Sequence, residues 1–334
     1  MIINLAQSDP LQLLLNFIDC NEIQQLKKHY QQKGNMKNWI IILVSLIGIQ
    51  HVLAQDSKQI LYRSIEQAKT KPLEVYQLKL SDREITDFPK EIFLFKNLER
   101  LNLRGCSITS IPAEIGEMKN LKTLDLSDNQ LIEFPIAILD LNGLERLLLY
   151  DINFSTIPYE ISKLKNLKAL HISGGDLSNS LGGISSLTEL NSLSLNNIGL
   201  KSIPNFIYSL NNLTYLALWE NEITSISDSI KNLQNLTVLN IVENKLGQFP
   251  NAVLSLNNLE QLFISDNNIS QIPGNIVELS RLVELYAGDN PIEDLPMELS
   301  KMKSLGHVRL INSKIPLEKQ KKFIKKMSHV DFEF

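Results

Sequence analysis

LKTLDLSDNQLIEFPIAILDLNG, residues 121–143, is the stretch that decides how the chain folds. Its apolar residues stand at slots 1, 4, 6, 11, 14, 18 and 21 (Leu121, Leu124, Leu126, Leu131, Phe134, Ile138 and Leu141), with Asn129 at slot 9 and Pro135 at slot 15. Slots 4 and 6 alternate with their neighbours, the period of a short strand with one buried face, so slots 3 and 5 point the other way. Pro135 has no N–H to give and ends extended pairing. Ile138 and Leu141 then pack a return arm that is expected to be extended or 3-10-like. Asn129 faces a tight turn whose backbone groups leave the strand ladder, where an amide can both donate and accept.

Reading outward, the same 23-residue spacing recurs without a slip. Units begin at Val75, Leu98, Leu121, Leu144, Leu167, Leu190, Leu213, Leu236, Leu259, Leu282 and Leu305. A single unit cannot cover its own apolar face, so stability must come from stacking. The pattern resembles the leucine-rich repeat superfamily, in its 23-residue class with Ile-Pro in the return arm. Similar units occur in secreted bacterial, plant intracellular and Ras-pathway members. The resemblance covers residues 75–327 and implies an α/β-type solenoid: a horseshoe with a parallel concave β-sheet and a mostly irregular or 3-10 convex side. It implies binding without naming a ligand, because members share a scaffold and differ in what they hold.

Residues 75–315 are thus expected to be repeats, the last running into a cap. Capping segments are expected at 55–74 and 316–334, since terminal units need cover. In the first, Ser57 to Ala68 places Ile60, Leu61, Ile65 and Ala68 at helical spacing with Ser57 as N-cap. In the second, Pro316 opens a lysine-rich helix through Met327, with Leu317, Phe323, Ile324 and Met327 inward. Val330, Phe332 and Phe334 then alternate as a last strand; the helix lysines read as a solvated face. Units four to six depart from the pattern, with Ile152, Gly175 and Ile198 at slot 9, and unit five has Leu181-Gly182-Gly183 in place of the proline turn. Cys106 takes slot 9 of unit two and Ser227 takes slot 15 of unit seven. The middle of the array is expected to be its least regular part, with changed curvature or mobility, unless these are neutral changes in tolerant turns.

Ahead of the repeats, Met36-Lys37-Asn38 and the apolar run Trp39 to Ile49 end in Val52-Leu53-Ala54, the three-part order of a secretory signal peptide. On that reading Met36 is the true start, 36–54 is removed, and residues 1–35 are an upstream extension that need not be translated. A signal anchor is the alternative: residues 38–55 are uncharged and just long enough to cross a bilayer, with Lys27, Lys28, Lys33 and Lys37 before them. A buried core helix is the third. Cleaved or anchored, the repeats end up secreted, periplasmic or on the cell surface.

Chemistry is sparse. A formal charge of -4 over 334 residues makes no concentrated basic face for nucleic acid. Two cysteines are too few for a disulfide framework or a thiolate zinc site. No phosphate loop, HExxH or GxSxG motif occurs, so no cofactor or metal is expected. His171 at slot 5, with Ser194 beside it in the next unit, is the one tempting pair. An open sheet face supplies it with neither a carboxylate orienter nor an oxyanion hole, so no enzyme is expected. Four Asn-x-Ser/Thr sequons, at Asn153, Asn212, Asn235 and Asn268, fall out of the repeat.

The concave face offers more. Its columns gather Tyr215, Trp219, Val242, Phe263 and Tyr286 into an aromatic patch, and slot 8 beside them reads Glu220, Glu243, Asp266, Asp289. Grouped aromatics on a face left in water are what binding hot spots look like. A carboxylate row at strand spacing repels itself unless basic groups meet it. The expected ligand is a protein or peptide with an apolar anchor for Trp219 and Phe263 and basic side chains for the row. The alternative makes slot 8 a turn position that tolerates Asp and the aromatics strand-to-strand packing. Arg100, Arg104 and Arg146 form a smaller basic patch near the other end. An exported recognition or adhesion module follows; an intracellular scaffold for small GTPases or other signalling proteins is the alternative.

Overall fold

A computed structural model describes residues 60–334. The extension 1–35, the segment 36–54 with its three readings, and Ser57 lie outside the described residues. Among those described, thirteen strands form one parallel sheet in chain order. β1 is Leu61–Tyr62 and β13 is Asp331–Glu333. Between them β2 to β12 fill the strand slots of the eleven units, from Gln77–Lys79 to His307–Arg309. Slot-4 residues pair across every junction, as in Leu101↔Leu124 and Leu262↔Leu285, so the sheet is built in register. The return arms are five-residue 3-10 helices at slots 16–20, from Lys90–Leu94 to Met297–Lys301. The slot-15 proline stands at the N-cap of most, where its missing N–H has no partner to lose. In unit seven the Ser227 hydroxyl takes over, accepting from the Ser229 N–H at 3.2 Å.

The seven apolar slots form one continuous core running the length of the stack. Leu124, Leu126, Ile138 and Leu141 of the reference unit are fully buried, each worth about 1.5–3 kcal/mol relative to exposure. At slot 9, Asn129 donates to the carbonyls of Leu103, Leu126 and Ser127 at 2.8–3.1 Å, while its Oδ1 accepts from the Cys106 and Ile108 N–H groups. Asn221, Asn244, Asn267 and Asn290 repeat these bonds in part or in full. A second asparagine ladder stands at slot 23. Asn97, Asn120, Asn166, Asn212, Asn235 and Asn258 each donate to a backbone carbonyl 24 residues earlier.

The middle of the array does depart from the regular units, and the departure is in strand length. Its strands are the longest: β5 spans Arg146–Leu149, β6 Ala169–Ser173 and β7 Ser192–Asn196. Without an asparagine amide competing for the slot-6 and slot-7 carbonyls, strand pairing continues through them, as in Leu149↔Ile172 and Ser173↔Asn196. Side chains on the strands cap what remains: Ser127 Oγ accepts from the Tyr150 N–H and Ser173 Oγ from the Asp151 N–H. Unit five closes on Gly183, where an added Cβ would lie 2.4 Å from the Tyr159 carbonyl oxygen. The two backbones approach too closely for a side chain.

The caps also differ from expectation. At the N-terminal end the α-helix, α1, is only Ile65–Lys69, capped by Ser64 accepting from the Gln67 N–H at 3.1 Å. Leu61 belongs to β1 instead, and Ile60 and Leu61 face solvent; the sheet edge recruits the segment that helical spacing suggested. At the other end α2 spans Leu317–Lys326 and buries Phe323, with Met327 buried beside it, while Leu317 and Ile324 point outward. The narrow helix seats one stripe on the last unit, and those two residues fall outside it. β13 pairs with β12 in parallel, Val308↔Phe332. Among the described residues no helix is long and apolar enough to cross a membrane.

Candidate functional site

Slots 3, 5 and 7 project from the sheet on the side opposite the core, and Tyr215, Val242 and Phe263 stand outside the continuous core as expected. Their exposure is not as expected. Phe263 is 3% exposed, Val242 4% and Tyr215 5%. Parallel strands lie about 4.8 Å apart, less than the breadth of an aromatic side chain, so rings on neighbouring strands lie down on one another. Phe263 and Tyr286 have ring centroids 4.7 Å apart, and Tyr286 and His307 5.3 Å. The result is an aromatic ribbon across β10 (Gln261–Phe263), β11 (Glu284–Tyr286) and β12, with Tyr286 and His307 partly open. Burial, with Glu284 beside it, pushes the Tyr286 phenol up. His307 lies 3.3 Å from Asp331 and 3.5 Å from Glu333, and Arg309 Nε is 3.2 Å from Glu333. This acidic end of the ribbon comes from β13, which the repeat pattern does not reach.

Trp219 is half-buried, its N–H held by Asn196 Oδ1 at 3.1 Å. Its indole Nε1 is covered and has no hydrogen-bond acceptor, and the same holds for Asn240 Nδ2. Each such buried donor costs about 1–3 kcal/mol. Asn240 is itself tied down through Oδ1, which accepts from the Val242 N–H at 3.1 Å. In the parallel register Asn240 pairs with Ala217, so Trp219, two residues further on, is its diagonal neighbour on the same face.

Slot 8 has a conformational reason. All eleven of its residues, from Asp82 through Gly105 and Asp128 to Asn312, have positive φ, between 50° and 87°. Gly has no penalty there, and Asp and Asn tolerate it through short polar side chains. That accounts for Asp266 and Asp289, the latter also accepting from Asn312 Nδ2 at 2.7 Å. It does not account for Glu220 and Glu243, whose longer side chains gain nothing from a left-handed backbone.

Nearer the N-terminal end, Arg100 and Arg146 share the slot-3 column with Thr123 between them. Arg146 is buried, and desolvation together with Arg100 lowers its pKa. Arg104 belongs to the slot-7 column and donates through Nε to Asp128 Oδ2 at 2.6 Å. Burial opposes its charge, but Asp128, Asp125 and Asp151 more than offset this and raise its pKa. The three arginines are therefore not one open cationic patch: one is neutralised by carboxylates and one is sunk into the sheet.

His171 has both ring nitrogens engaged, Nδ1 with the Tyr150 hydroxyl and Nε2 with Ser192 Oγ, each at 2.7 Å. Tyr215 stacks on the ring at 6.1 Å. Burial, reinforced by Arg146, lowers its pKa to about 3, so the ring is neutral at ordinary pH. Ser194 pairs with His171 across the strands, but its hydroxyl accepts from Asn196 Nδ2. The histidine is a bracing group in a polar seam that sequence spacing did not reveal.

Comparison with known proteins finds leucine-rich repeats in this chain. Family models for a leucine-rich repeat region and a leucine rich repeat match residues 71–182 and 234–292. An internalin of Listeria monocytogenes superposes with a TM-score of 0.59 at 25% identity, covering 81% of this chain and 82% of that one. A leucine-rich repeat protein of Leptospira interrogans gives 0.56 at 23% identity over 83% of this chain and all of its own. The Arabidopsis receptor kinase HAESA, in complex with the peptide hormone IDA and the co-receptor SERK1, gives 0.55 at 25% identity over 77% of this chain and 53% of that one. A curated relative, uridine 5'-monophosphate transferase of Xanthomonas campestris, is 45% identical over 42 residues, 13% of this chain and only 8% of that protein. With thirteen parallel strands, 3-10 return arms and matching family models over its repeats, the chain belongs to the leucine-rich repeat superfamily.

Proposed function

We propose that this chain is an exported, non-catalytic module that binds a protein or peptide on its concave face, between units seven and eleven. The observation that carries the reading is the aromatic ribbon Phe263–Tyr286–His307, outside the core and flanked by carboxylates at Glu284, Asp331 and Glu333. Trp219, Tyr215 and Val242 extend it toward the middle of the sheet. Glu220 and Glu243 add negative charge that the local backbone does not call for, and Asp266 and Asp289 continue the row. An apolar segment carrying Lys or Arg suits such a surface. The Arabidopsis neighbour, solved with a peptide hormone, supports a peptide as the partner class. Export rests on the signal-like order of residues 36–54.

The test replaces Trp219 and Phe263 with Ala and asks for partner capture from the compartment where the protein resides, with the fold checked by circular dichroism. Capture is expected to be lost; capture retained by a folded variant overturns the site. A native N-terminus at Gln55 is the expected mark of export, whereas an intact Met1 in cytosol favours the intracellular scaffold.

A further inference from the structure

The two covered donors on this face say what kind of atom the ligand brings. We infer that Trp219 Nε1 and Asn240 Nδ2 receive a neutral carbonyl oxygen from the backbone of an extended peptide, with Trp219 swinging outward to admit it. The inference rests on the concave-face reading above and adds the polar group that fixes the peptide's register. Among the described residues, both donors are buried and lack acceptors, although nearly all buried polar groups in folded proteins are paired. They are diagonal neighbours on one face. Asn240 is held in place by its bond to the Val242 N–H, so its two amide hydrogens are presented by a fixed group. Trp219 is held at its backbone, by Asn196, Asn197 and Asn221, and it is the partly exposed member of the pair.

The chemistry narrows the acceptor. Two N–H donors donate equally well to the oxygen of a carbonyl, a carboxylate or a phosphate. Glu220 directly follows Trp219, and Glu243 follows Val242 in the next unit, so anionic acceptors meet repulsion. A peptide carbonyl carries the lone pairs without the charge.

The probes are peptides selected from a random twelve-residue display library against the full chain, then synthesised with both ends blocked. Each is also made with single amides replaced by esters, which weakens the carbonyl as an acceptor. Asn240→Asp keeps the acceptor for the Val242 N–H while removing the donors; Trp219→Phe keeps a ring while removing the N–H. One ester position is expected to lower affinity for the wild type about tenfold and to have no effect on Asn240→Asp or Trp219→Phe, the signature of a coupled pair. The Trp219 indole N–H resonance is expected to move downfield on binding. If Asn240→Asp fails to fold, Trp219→Phe decides alone. Selected peptides that bind the concave face but show the same ester effect in all three proteins overturn the inference and leave the concave-face reading standing. Predominantly acidic peptides overturn the carbonyl assignment. Peptides that crosslink only to the convex side, or no selected peptides at all, overturn both.

Discussion

The Cys106 thiol donates to the Leu80 carbonyl at 3.0 Å, the same position, 26 residues back, that Asn129 Nδ2 reaches in Leu103 at 2.8 Å. Cysteine at slot 9 therefore shares its one S–H between two of the asparagine's acceptors, the Leu80 carbonyl and, at 3.6 Å, the Arg104 carbonyl, and gives up the rest. Asn129→Ala removes bonds to five backbone groups, of which only the Ser127 carbonyl keeps another donor, the Gly105 N–H, and is expected to cost roughly 3 kcal/mol. Cys106→Ala strands one and should cost about 1 kcal/mol. Urea unfolding of the two variants measures the difference; equal losses would mean that the slot-9 ladder is not what holds the turns.

His171 makes stability depend on pH. Its pKa is about 3 in the folded chain against 6.5 for the free side chain. Between those values the unfolded chain binds the extra proton, so stability rises with pH there. The contribution of the neutral ring is complete above pH 6.5 and is lost as pH falls toward 3. Melting temperatures of the wild type and His171→Gln are expected to lie furthest apart, by a constant gap, above pH 6.5 and to converge as pH falls from 6.5 toward 3. Parallel profiles would show that the Tyr150–His171–Ser192 seam does not hold a neutral histidine.

Two glycines separate space from backbone conformation. At Gly183 an added Cβ meets the Tyr159 carbonyl oxygen at 2.4 Å and Ile161 Cγ2 at 2.8 Å, whereas Gly247, with φ of 70°, has open space around it. Gly247→Ala should cost about 1–2 kcal/mol, the left-handed penalty. Gly183→Ala must push two units apart and should exceed about 3 kcal/mol. Chemical denaturation checks the order, and a reversed order contradicts the close approach of units four and five.

Much of this architecture is legible in the amino-acid sequence. Leucines at slots 4 and 6 announce a strand with one buried face, and their return every 23 residues announces the stack. Other features depend on geometry that spacing does not carry. Asn97 and Asn120 hold a second ladder, but slot 23 also contains Gly143, Glu189 and Arg281, so no pattern stood out. Slot 8 presents mainly Asp, Asn and Gly, the residues of a left-handed turn, and the sequence leaves the turn and the charge readings of its four adjacent acids open; the positive φ at every unit accounts for the two aspartates. The columns put Tyr215, Val242 and Phe263 opposite the core, but their burial follows from ring breadth against strand spacing, which a list of columns does not contain. His171 pairs with Ser194 in register, while its ring turns to Tyr150 and Ser192.

Site-specific photo-crosslinking tests the central claim most directly. A benzophenone amino acid is placed at Tyr286, partly open on the concave ribbon, and in a second protein at Ile132, 80% exposed and distant in the repeat from the concave columns. Illumination in the protein's own compartment is expected to attach a partner through position 286 and not through 132. Attachment at 132 alone would place recognition elsewhere and contradict the account.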